Sequence, residues 1–303
     1  MRFAVILNEG AGSVGELDEE RTRIVDAFAA QGHDAEVHAA APADLPEVVR
    51  RCWAADPHPR AVVVAGGDGT VSCAAGAAAG TDVVLGVLPL GTFNHFAKDL
   101  GMPTDLAEAA AALAAAEVGR VDVGEVNGRV FVNNSVLGLY PDLVAIRDEL
   151  RDRHGWGKVR AVPVAALHVL RRFPVRRLDL HGPGYRRDRV RTPLLFVGNG
   201  VFEADGAGTP ARAAMADGVL GVAVSRAVSR LGLLRSLVRG LARGSEAVDD
   251  VEEVAVRELE VRLHARRVRV ALDGEVDELA VPLRYRVRPG ALQVLVPPPE
   301  LRS

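Results

Sequence analysis

The sequence of 303 residues is short of cysteine and of aromatic residues. Its two cysteines, Cys52 and Cys73, are too few for a disulfide framework or a cysteine-rich zinc cluster, and they are typical of a reducing compartment. Aromatic residues make up 4%, which excludes a base-stacking platform, and a formal net charge of −3 provides no basic field that would attract nucleic acid. We therefore expect a cytoplasmic protein that does not bind nucleic acid.

Long apolar runs are absent as well. The N-terminus has no stretch long enough for a signal peptide, and the best uncharged run, residues 83–97, is interrupted by Gly86, Pro89, Gly91 and Asn94. The sequence thus predicts no transmembrane segment, and any contact with a membrane would be made from its surface.

Lysine is also scarce, since only Lys98 and Lys158 stand among the 37 basic residues, so one arginine by itself is weak evidence of a selected role. A local excess is more informative: residues 147–191 carry 13 arginines or lysines against five acids, a balance of +8. Basic residues beside apolar ones suit an anionic membrane surface, and this pattern predicts peripheral membrane association. A solvated face in an arginine-rich chain is the alternative.

Strand and helix patterns alternate over the first 116 residues. This alternation predicts a parallel α/β sheet with helices on its faces, where ligands bind in the loops after the carboxyl ends of strands. The loops at 8–15, 66–70 and 89–94 occupy that position. The predicted strands are 3–7, 34–38, 61–64 and 83–88, and the predicted helices are 17–30, 45–55, 71–79 and 106–116.

Strand patterns predominate after residue 121, where Asn127-Gly128 is a strong hairpin signal. We expect an α/β domain over 1–123, joined by the C-terminal segment 289–303, and a mainly antiparallel β domain over 124–288. The acidic residues 249–253 are predicted to form a solvated loop. The other predicted strands are 121–126, 130–136, 178–180, 194–198, 220–224, 254–256, 259–263, 268–272, 283–287 and 292–296, and the helices are 143–150, 159–170 and 231–241.

The most specific motif follows the predicted strand 61–64 and reads Gly66-Gly67-Asp68-Gly69-Thr70. Its glycines let consecutive backbone amides turn inward and form an anion-binding nest, and Thr70 can cap the next helix. Asp68 would repel phosphate, so its presence makes sense if it binds Mg²⁺, holds a water or orients a donor. The motif predicts phosphate binding, and a plain Asp-Gly turn is the alternative.

A second glycine loop follows the predicted strand 83–88. Gly91 permits close backbone approach, and Thr92 and Asn94 offer a hydroxyl and an amide, although Thr92 could simply cap a helix. Two such loops at successive strand ends favour one shared nucleotide site. The GxGxxG run over 10–15 could bind a dinucleotide, but the acidic residue expected for the ribose is missing, so a glycine turn or a mononucleotide phosphate loop stays open.

With these two glycine loops, the sequence resembles the diacylglycerol kinase catalytic-domain family. This family includes bacterial lipid kinases and sphingosine kinases and is distantly related to NAD kinases. Residues 88–101, LPLGTFNHFAKDLG, resemble the family's GTxNDFAR element, and the chain also carries the glycine-rich motif at 66–70. Order and spacing match along nearly the whole chain. Further matches are 132–135 with Gly138, 197–200, Ala216-Asp217-Gly218-Val219-Leu220 for the family's DDGLL, and Leu272-Asp273-Gly274-Glu275 for its DGE.

The resemblance implies a two-lobed kinase with a nucleotide-binding α/β lobe, a β-sandwich-like lobe and a cleft between them, with the last strand returning to the first lobe. It implies ATP and Mg²⁺ as cofactors and transfer of the γ-phosphoryl group to the hydroxyl of diacylglycerol or a related lipid at a membrane surface. A homodimer is left open. By the same resemblance, Asp273, Glu275 and Asp68 are the catalytic residues, Asp217 is the metal ligand, and the nucleotide contacts are Asn8, Gly66, Gly67, Asp68, Gly69, Thr70, Gly91, Thr92 and Asn94.

This sequence departs from the family pattern at several positions. Glu9 follows Asn8 where the family usually has proline, Ser72 and Cys73 replace Asn-Glu, and His95 and Lys98 replace Asp and Arg. The glycine motif alone would also fit a NAD kinase, and the departures leave room for a non-catalytic ATP- or lipid-binding relative. The GTxN element and the late DGE favour a lipid kinase.

Overall fold

A computed structural model of the chain describes residues 1–9, 14–154, 164, 175–204, 210–212, 215–226 and 251–303. The chain divides into two compact units. Unit 1 comprises Met1–Val123, Val130–Val132 and Arg288–Ser303, and unit 2 comprises Gly124–Arg129 and Asn133–Val287. The predicted helix 159–170 apart from residue 164, the predicted helix 231–241 and most of the GxGxxG run lie outside the described residues.

Unit 1 is the predicted α/β fold. Its central sheet has the order β2–β1–β3–β4 and is parallel at each of these pairs. The strands β3 and β4 are buried along their whole length because helices cover such a sheet on both faces. The elements in chain order are β1 (Arg2–Asn8), α1 (Val14–Ala30), β2 (Asp34–Ala40), α2 (Leu45–Trp53), β3 (Val62–Gly66), α3 (Asp68–Ala78), β4 (Val84–Pro89), α4 (His95–Asp99) and α5 (Leu106–Ala115).

Unit 2 is the predicted antiparallel β fold, and its six-stranded sheet has the order β14–β13–β10–β7–β16–β17. A second group of strands, antiparallel at each pairing, runs from the first part of β18 through β15 and β8 to β9. The remaining elements of the chain are β5 (Glu117–Val126), β6 (Arg129–Phe131), β7 (Asn134–Gly138), α6 (Leu139–His154), β8 (Arg176–Gly182), β9 (Tyr185–Thr192), β10 (Leu194–Asn199), β11 (Phe202–Ala204), β12 (Pro210–Arg212), β13 (Leu220–Ser225), β14 (Val251–Val256), β15 (Glu258–Leu263), β16 (Arg267–Leu272), β17 (Glu275–Ala280) and β18 (Leu283–Val296).

A buried pair of hydroxyl groups links the two groups of strands in the core of unit 2. Ser135 of β7 and Tyr285 of β18 are both buried, and their hydroxyl oxygens lie 3.0 Å apart. Burial raises the pKa of Tyr285 to about 12, while the hydrogen bond with Ser135 acts in the opposite direction. The two strand groups therefore pack face to face here, as in a β-sandwich.

The C-terminal strand differs from its prediction. Residues 283–287 and 292–296 belong to the single strand β18, which continues through Pro289 and Gly290. Gly290 has a φ of 56° and donates its backbone N–H to Asp122 at 2.8 Å, so the strand passes a position that resembles a turn in the sequence. Its last part pairs with β4 in parallel, Gln293 with Val84 and Val294 with Leu85.

Several strands were missed because their side chains are largely polar. The strand β9 carries four arginines, and β17 carries three acids. The acidic residues 249–253 were predicted to form a loop, but β14 begins at Val251, and Glu252 pairs with Arg187 and Arg226. The predicted strand 130–136 is divided into β6 and β7. In the described part of the chain, no helix is long and apolar enough to cross a membrane.

Candidate functional site

The two glycine loops of unit 1 touch each other, backbone against backbone. A β-carbon added to Gly91 would lie 2.4 Å from the Gly67 Cα atom, and one added to Gly67 would lie 3.3 Å from the Gly91 Cα atom. These residues follow β3 and β4, which are neighbours in the sheet, with Gly66 paired to Pro89. The structure thus brings together the two loops that the sequence predicts to share a site, and glycine is favoured at position 91 because a β-carbon there would collide with the Gly67 backbone.

The loop after β3 turns directly into a helix. Gly67 is the N-cap of α3, with extended backbone angles, and Asp68 is the first helical residue. The helix begins two residues before Thr70, so the expectation that Thr70 caps it was wrong. The Thr70 hydroxyl instead accepts a hydrogen bond of 2.9 Å from the Asn8 side-chain amide at the end of β1. Asn8, Gly67 and Gly91 therefore stand at the carboxyl ends of three adjacent strands, above the start of α3.

The backbone amides at the start of α3 give this edge of the sheet its chemical character. The first N–H groups of a helix have no partner within the helix, and the helix dipole adds partial positive charge there. Gly66 has no room for a side chain, because a β-carbon would lie 2.7 Å from the Thr70 hydroxyl oxygen. A ligand with phosphate oxygens can therefore reach these amides without meeting a side chain of Gly66, Gly67 or Gly69.

Asn94 shapes the second glycine loop from within. It adopts the left-handed conformation, with a φ of 52°, and is buried. Its side-chain oxygen accepts from the Gly91 backbone N–H at 3.0 Å, and its side-chain nitrogen donates to the Gly91 and Pro89 carbonyl oxygens at 2.8 and 3.3 Å. Asn94 was predicted to contact the nucleotide, but its side-chain amide bonds to the backbone of its own loop. Thr92, the other predicted contact, is exposed.

Three side chains in or beside these loops make contacts of interest: Asp68 of the glycine motif, and His95 and Cys73, which depart from the family pattern. Asp68 accepts a long hydrogen bond of 3.4 Å from the Phe96 backbone N–H, which links the first loop to α4. His95, the first residue of α4, is exposed, and its ring lies parallel to that of Phe93, with centroids 5.8 Å apart. Cys73 points its sulfur toward the Pro42 carbonyl oxygen at 3.7 Å.

In unit 2, Asp273 occupies the two-residue turn between β16 and β17. Its φ is 47° and that of Gly274 is 92°, and Leu272 pairs with Glu275 across the turn. The carboxylate is largely buried, and its Oδ1 accepts from the backbone N–H groups of Asn133 and Asn134 at 2.8 and 2.9 Å. The DGE and Asn-Asn motifs, some 140 residues apart in the chain, thus meet through one carboxylate oxygen.

Glu275 stands on the other side of this turn. It is the first residue of β17 and is exposed, whereas the Asp273 carboxylate is largely buried. No sequence motif pointed to Tyr140, in the first turn of α6: a β-carbon added to Gly274 would lie 3.9 Å from the Tyr140 hydroxyl oxygen. No spacing rule links Tyr140 to Gly274, because the two residues meet only through the packing of α6 against β16 and β17.

Asp217 is exposed and lies just before β13. It offers one carboxylate and is followed by Gly218, whose φ of 66° places it in a tight turn. The residues that the structure describes contain no cluster of three or more His, Cys, Asp or Glu side chains that could hold a metal ion. An ion here would therefore be held by one carboxylate, backbone carbonyl oxygens and water, which is an arrangement that Mg²⁺ accepts.

Comparison with known proteins assigns both halves of the chain. The diacylglycerol kinase catalytic domain matches residues 2–126, and the YegS C-terminal NAD kinase beta sandwich-like domain matches residues 147–296. The chain is 32% identical over 286 residues to the "Probable lipid kinase YegS-like" of Pseudomonas fluorescens, covering 93% of this chain and 92% of that protein. The protein belongs to the diacylglycerol kinase catalytic-domain family.

Other members of this lipid kinase family show the same relationship. A diacylglycerol kinase of Mycobacterium tuberculosis is 31% identical over 247 residues, which cover 78% of this chain and 77% of that protein. The crystal structure of a diacylglycerol kinase from Bacillus anthracis superimposes with a TM-score of 0.70 at 21% identity, covering 99% of this chain and 98% of that one. This likeness shows the fold, in which an α/β domain is followed by an antiparallel β domain.

Proposed function

We propose that this member of the family is an ATP- and Mg²⁺-dependent lipid kinase that phosphorylates the hydroxyl of diacylglycerol or a related lipid. The observation that carries the proposal is the contact between Gly67 and Gly91, because it joins two loops of backbone amides at the start of α3. Phosphoryl transfer needs little covalent chemistry from a protein. It needs positioning of the acceptor and stabilisation of the phosphate charge, which such loops supply.

On the nucleotide side, we assign the phosphates of ATP to the backbone amides of Gly66–Thr70 and of Gly91. Asn8 supports this surface through its hydrogen bond to Thr70, and Asn94 supports it by holding the shape of the second loop. Asp68 is the carboxylate nearest in sequence to these amides, and we assign it to a water or an ion that accompanies the phosphates.

On the acceptor side, we propose Asp273 as the general base. A lipid hydroxyl is a poor nucleophile, and a carboxylate that accepts its proton as the phosphoryl group arrives accelerates transfer by about 10²–10⁴-fold. The turn holds the carboxylate in place through the amides of Asn133 and Asn134. Glu275 is the second candidate for this role, and we propose that Tyr140, whose hydroxyl lies beside Gly274, orients the acceptor.

Two variants of Asp273 separate chemistry from folding. Asp273→Asn keeps an oxygen for the two amides and tolerates the left-handed turn, so turnover should fall by about 10²–10⁴-fold with normal stability and ATP affinity. Asp273→Ala should also lower stability by about 1–3 kcal/mol, because a buried amide and a part-buried amide lose their acceptor. If Asp273→Asn retains turnover and Glu275→Gln abolishes it, the base is Glu275. If both retain turnover, the acceptor side is assigned wrongly.

For Mg²⁺ we propose Asp217 as a ligand, with neighbouring backbone carbonyl oxygens. The ion would neutralise negative charge at the site. Asp217→Ala should raise the Mg²⁺ concentration needed for half-maximal activity and leave ATP affinity nearly unchanged. Turnover equal to that of the wild type at limiting Mg²⁺ would exclude this assignment.

The substrate itself is best identified without a preselected lipid. The protein is incubated with labelled ATP, Mg²⁺ and a total lipid extract, and labelled lipids are then identified by mass spectrometry. We expect one phosphorylated lipid class, whose rate of formation falls by about 10²–10⁴-fold with Asp273→Asn. Formation of NADP⁺ from NAD⁺ would favour the rival NAD kinase-like function. ATP binding with no turnover on any acceptor would favour a non-catalytic ATP- or lipid-binding function. The departures from the family pattern at Ser72, Cys73 and His95 are the reason to test for it.

We also propose peripheral binding to anionic membranes through the outer face of β8 and β9. Arg177 and Arg191 are directly opposed in this pair of strands, and both are exposed. Two like charges at this position repel each other, and an anionic headgroup between them would relieve the repulsion. Other arginines of the basic stretch are already engaged by acids: Arg176 by Asp142, Arg186 by Asp188, and Arg187 by Glu252.

A further inference from the structure

Phe93 is a large apolar side chain that is exposed to water. It is 65% exposed, more than any other large hydrophobic residue in the described ranges. Its neighbours in the chain behave differently, since Asn94 and Phe96 are both buried. An isolated exposed apolar residue needs no explanation, but its place in the second glycine loop, between Gly91 and Asn94, sets Phe93 apart.

The exposure of Phe93 does not come from a loose loop. The backbone before it is held against Gly67, and the residue after it makes three hydrogen bonds from its side chain to Gly91 and Pro89. The Asn94 carbonyl oxygen also accepts from the Lys98 backbone N–H at 3.0 Å, which closes the first turn of α4. The backbone on both sides is thus fixed, and it directs the Phe93 ring outward.

His95 gives the exposed ring a polar neighbour. The two rings are parallel within 6°, with centroids 5.8 Å apart, and His95 is exposed as well. An aromatic ring beside an imidazole combines an apolar surface with hydrogen-bonding nitrogens. Such amphipathic pairs suit the boundary between water and hydrocarbon, where one part is dry and the other is hydrated.

We propose that Phe93 contacts the acyl region of the acceptor lipid at the membrane surface, with His95 at the level of the headgroups. This inference rests on the proposed lipid kinase function. Phe93 is two residues from Gly91, so their Cα atoms are at most about 7.6 Å apart. The reacting hydroxyl of a diacylglycerol must come to the phosphates at this loop, and its acyl chains begin only a few bonds away. An apolar side chain beside the loop therefore meets the apolar part of that substrate.

Fluorescence tests this contact without any catalytic step. In Phe93→Trp, emission is recorded with vesicles of phosphatidylglycerol containing diacylglycerol, and the spectrum of the wild type, with Trp53 and Trp156, is subtracted. We expect a blue shift on vesicle addition, because the indole leaves water. Val118→Trp is the matched control, since Val118 is 52% exposed in unit 1 but lies far along the chain from the glycine loops, and it should show no shift.

Two fluorescence results would overturn the proposal. One is an unshifted Phe93→Trp spectrum with vesicles. The other is a change in the Phe93→Trp emission spectrum on addition of a non-hydrolysable ATP analogue alone, which would indicate that the ring at position 93 contacts the nucleobase. A blue shift in Phe93→Trp together with no phosphorylation of any lipid by the wild type would support the contact and refute the lipid kinase function.

Kinetics supply the second readout. Phe93→Ser should raise KM for long-chain diacylglycerol in vesicles about tenfold, since burying the exposed part of a phenylalanine is worth about a factor of ten in an equilibrium constant. The KM for ATP should stay unchanged, as should the rate with a short-chain diacylglycerol dispersed in water. An equal loss with both acceptors would show that Phe93 shapes the loop rather than contacting acyl chains.

Discussion

Replacing Gly91 by alanine tests whether the contact between the two glycine loops is required. Gly91 does not have a positive φ, so alanine is compatible with its backbone angles and the effect is purely steric. The added β-carbon would stand 2.4 Å from the Gly67 Cα atom and 2.7 Å from the Asn94 side-chain oxygen. Ordinary contacts begin at 3.4 Å, so the loops must separate by about 1 Å.

This displacement has two expected consequences. Overpacking of this kind costs about 1–3 kcal/mol in the free energy of unfolding, because backbone rather than a flexible side chain must move. A misplacement of about 1 Å in a phosphate-binding loop should also reduce kcat/KM by about 10²-fold. The loss should appear mainly in KM for ATP, since the acceptor side in unit 2 is not altered.

The assays are thermal unfolding and steady-state kinetics with varied ATP, and Gly76→Ala is the matched control. Gly76 lies in α3, is exposed, and has open space around its Cα atom. Alanine there should stabilise the protein by about 0.5–1 kcal/mol and leave turnover unchanged. If Gly91→Ala matches the wild type in stability and in KM for ATP, the loops do not depend on their contact.

Three further expectations concern other parts of the chain. Because burial raises the pKa of Tyr285 to about 12, the folded state keeps a proton that the unfolded state releases above pH ~10. Stability should therefore fall by about 2–3 kcal/mol as the pH rises from about 10 to 12, and Tyr285→Phe should abolish that part of the decline in denaturant titrations. Arg177→Ala with Arg191→Ala should weaken sedimentation with anionic vesicles by about 10–30-fold, at roughly 1 kcal/mol per charge, and high salt should remove the difference. Asp105→Ala should lower stability by about 1 kcal/mol with unchanged activity, because Asp105 accepts hydrogen bonds from the first amides of α5. Unaltered unfolding of Asp105→Ala would contradict its role as a helix cap. Wild-type vesicle binding of the double arginine variant would contradict the proposed membrane contact.

Much of unit 1 was predictable because its signals are local. A fully buried parallel strand is expected to be apolar throughout, as β3 and β4 are, and each leads into a glycine loop. The hairpin at Asn127-Gly128 was predictable for the same reason: both residues adopt the positive φ that this dipeptide favours.

Strands in unit 2 were harder to predict where they carry charge. The strand β9 has exposed residues on both faces and lies at the end of its row of strands, so it need not alternate apolar and polar residues. Glu252 is a second example of a charged residue in a strand. Its charge indicated a loop, but Glu252 lies in β14, where Arg187 and Arg226 neutralise its carboxylate. Charge patterns predict exposure, but they do not show whether a partner strand supplies the opposite charge.

The sequence by itself determined the order of the two kinds of domain, the positions of the glycine loops and the resemblance to lipid kinases, since these depend on residues adjacent in the chain. Only the tertiary structure decided that Asn94 binds its own loop, that Thr70 bonds to Asn8 and does not cap α3, and that Asp273 joins the amides of Asn133 and Asn134. The physical reason is that a hydrogen bond depends on distance in space. A polar side chain has several potential partners of similar chemistry, and only packing brings one of them to 2.8 or 2.9 Å.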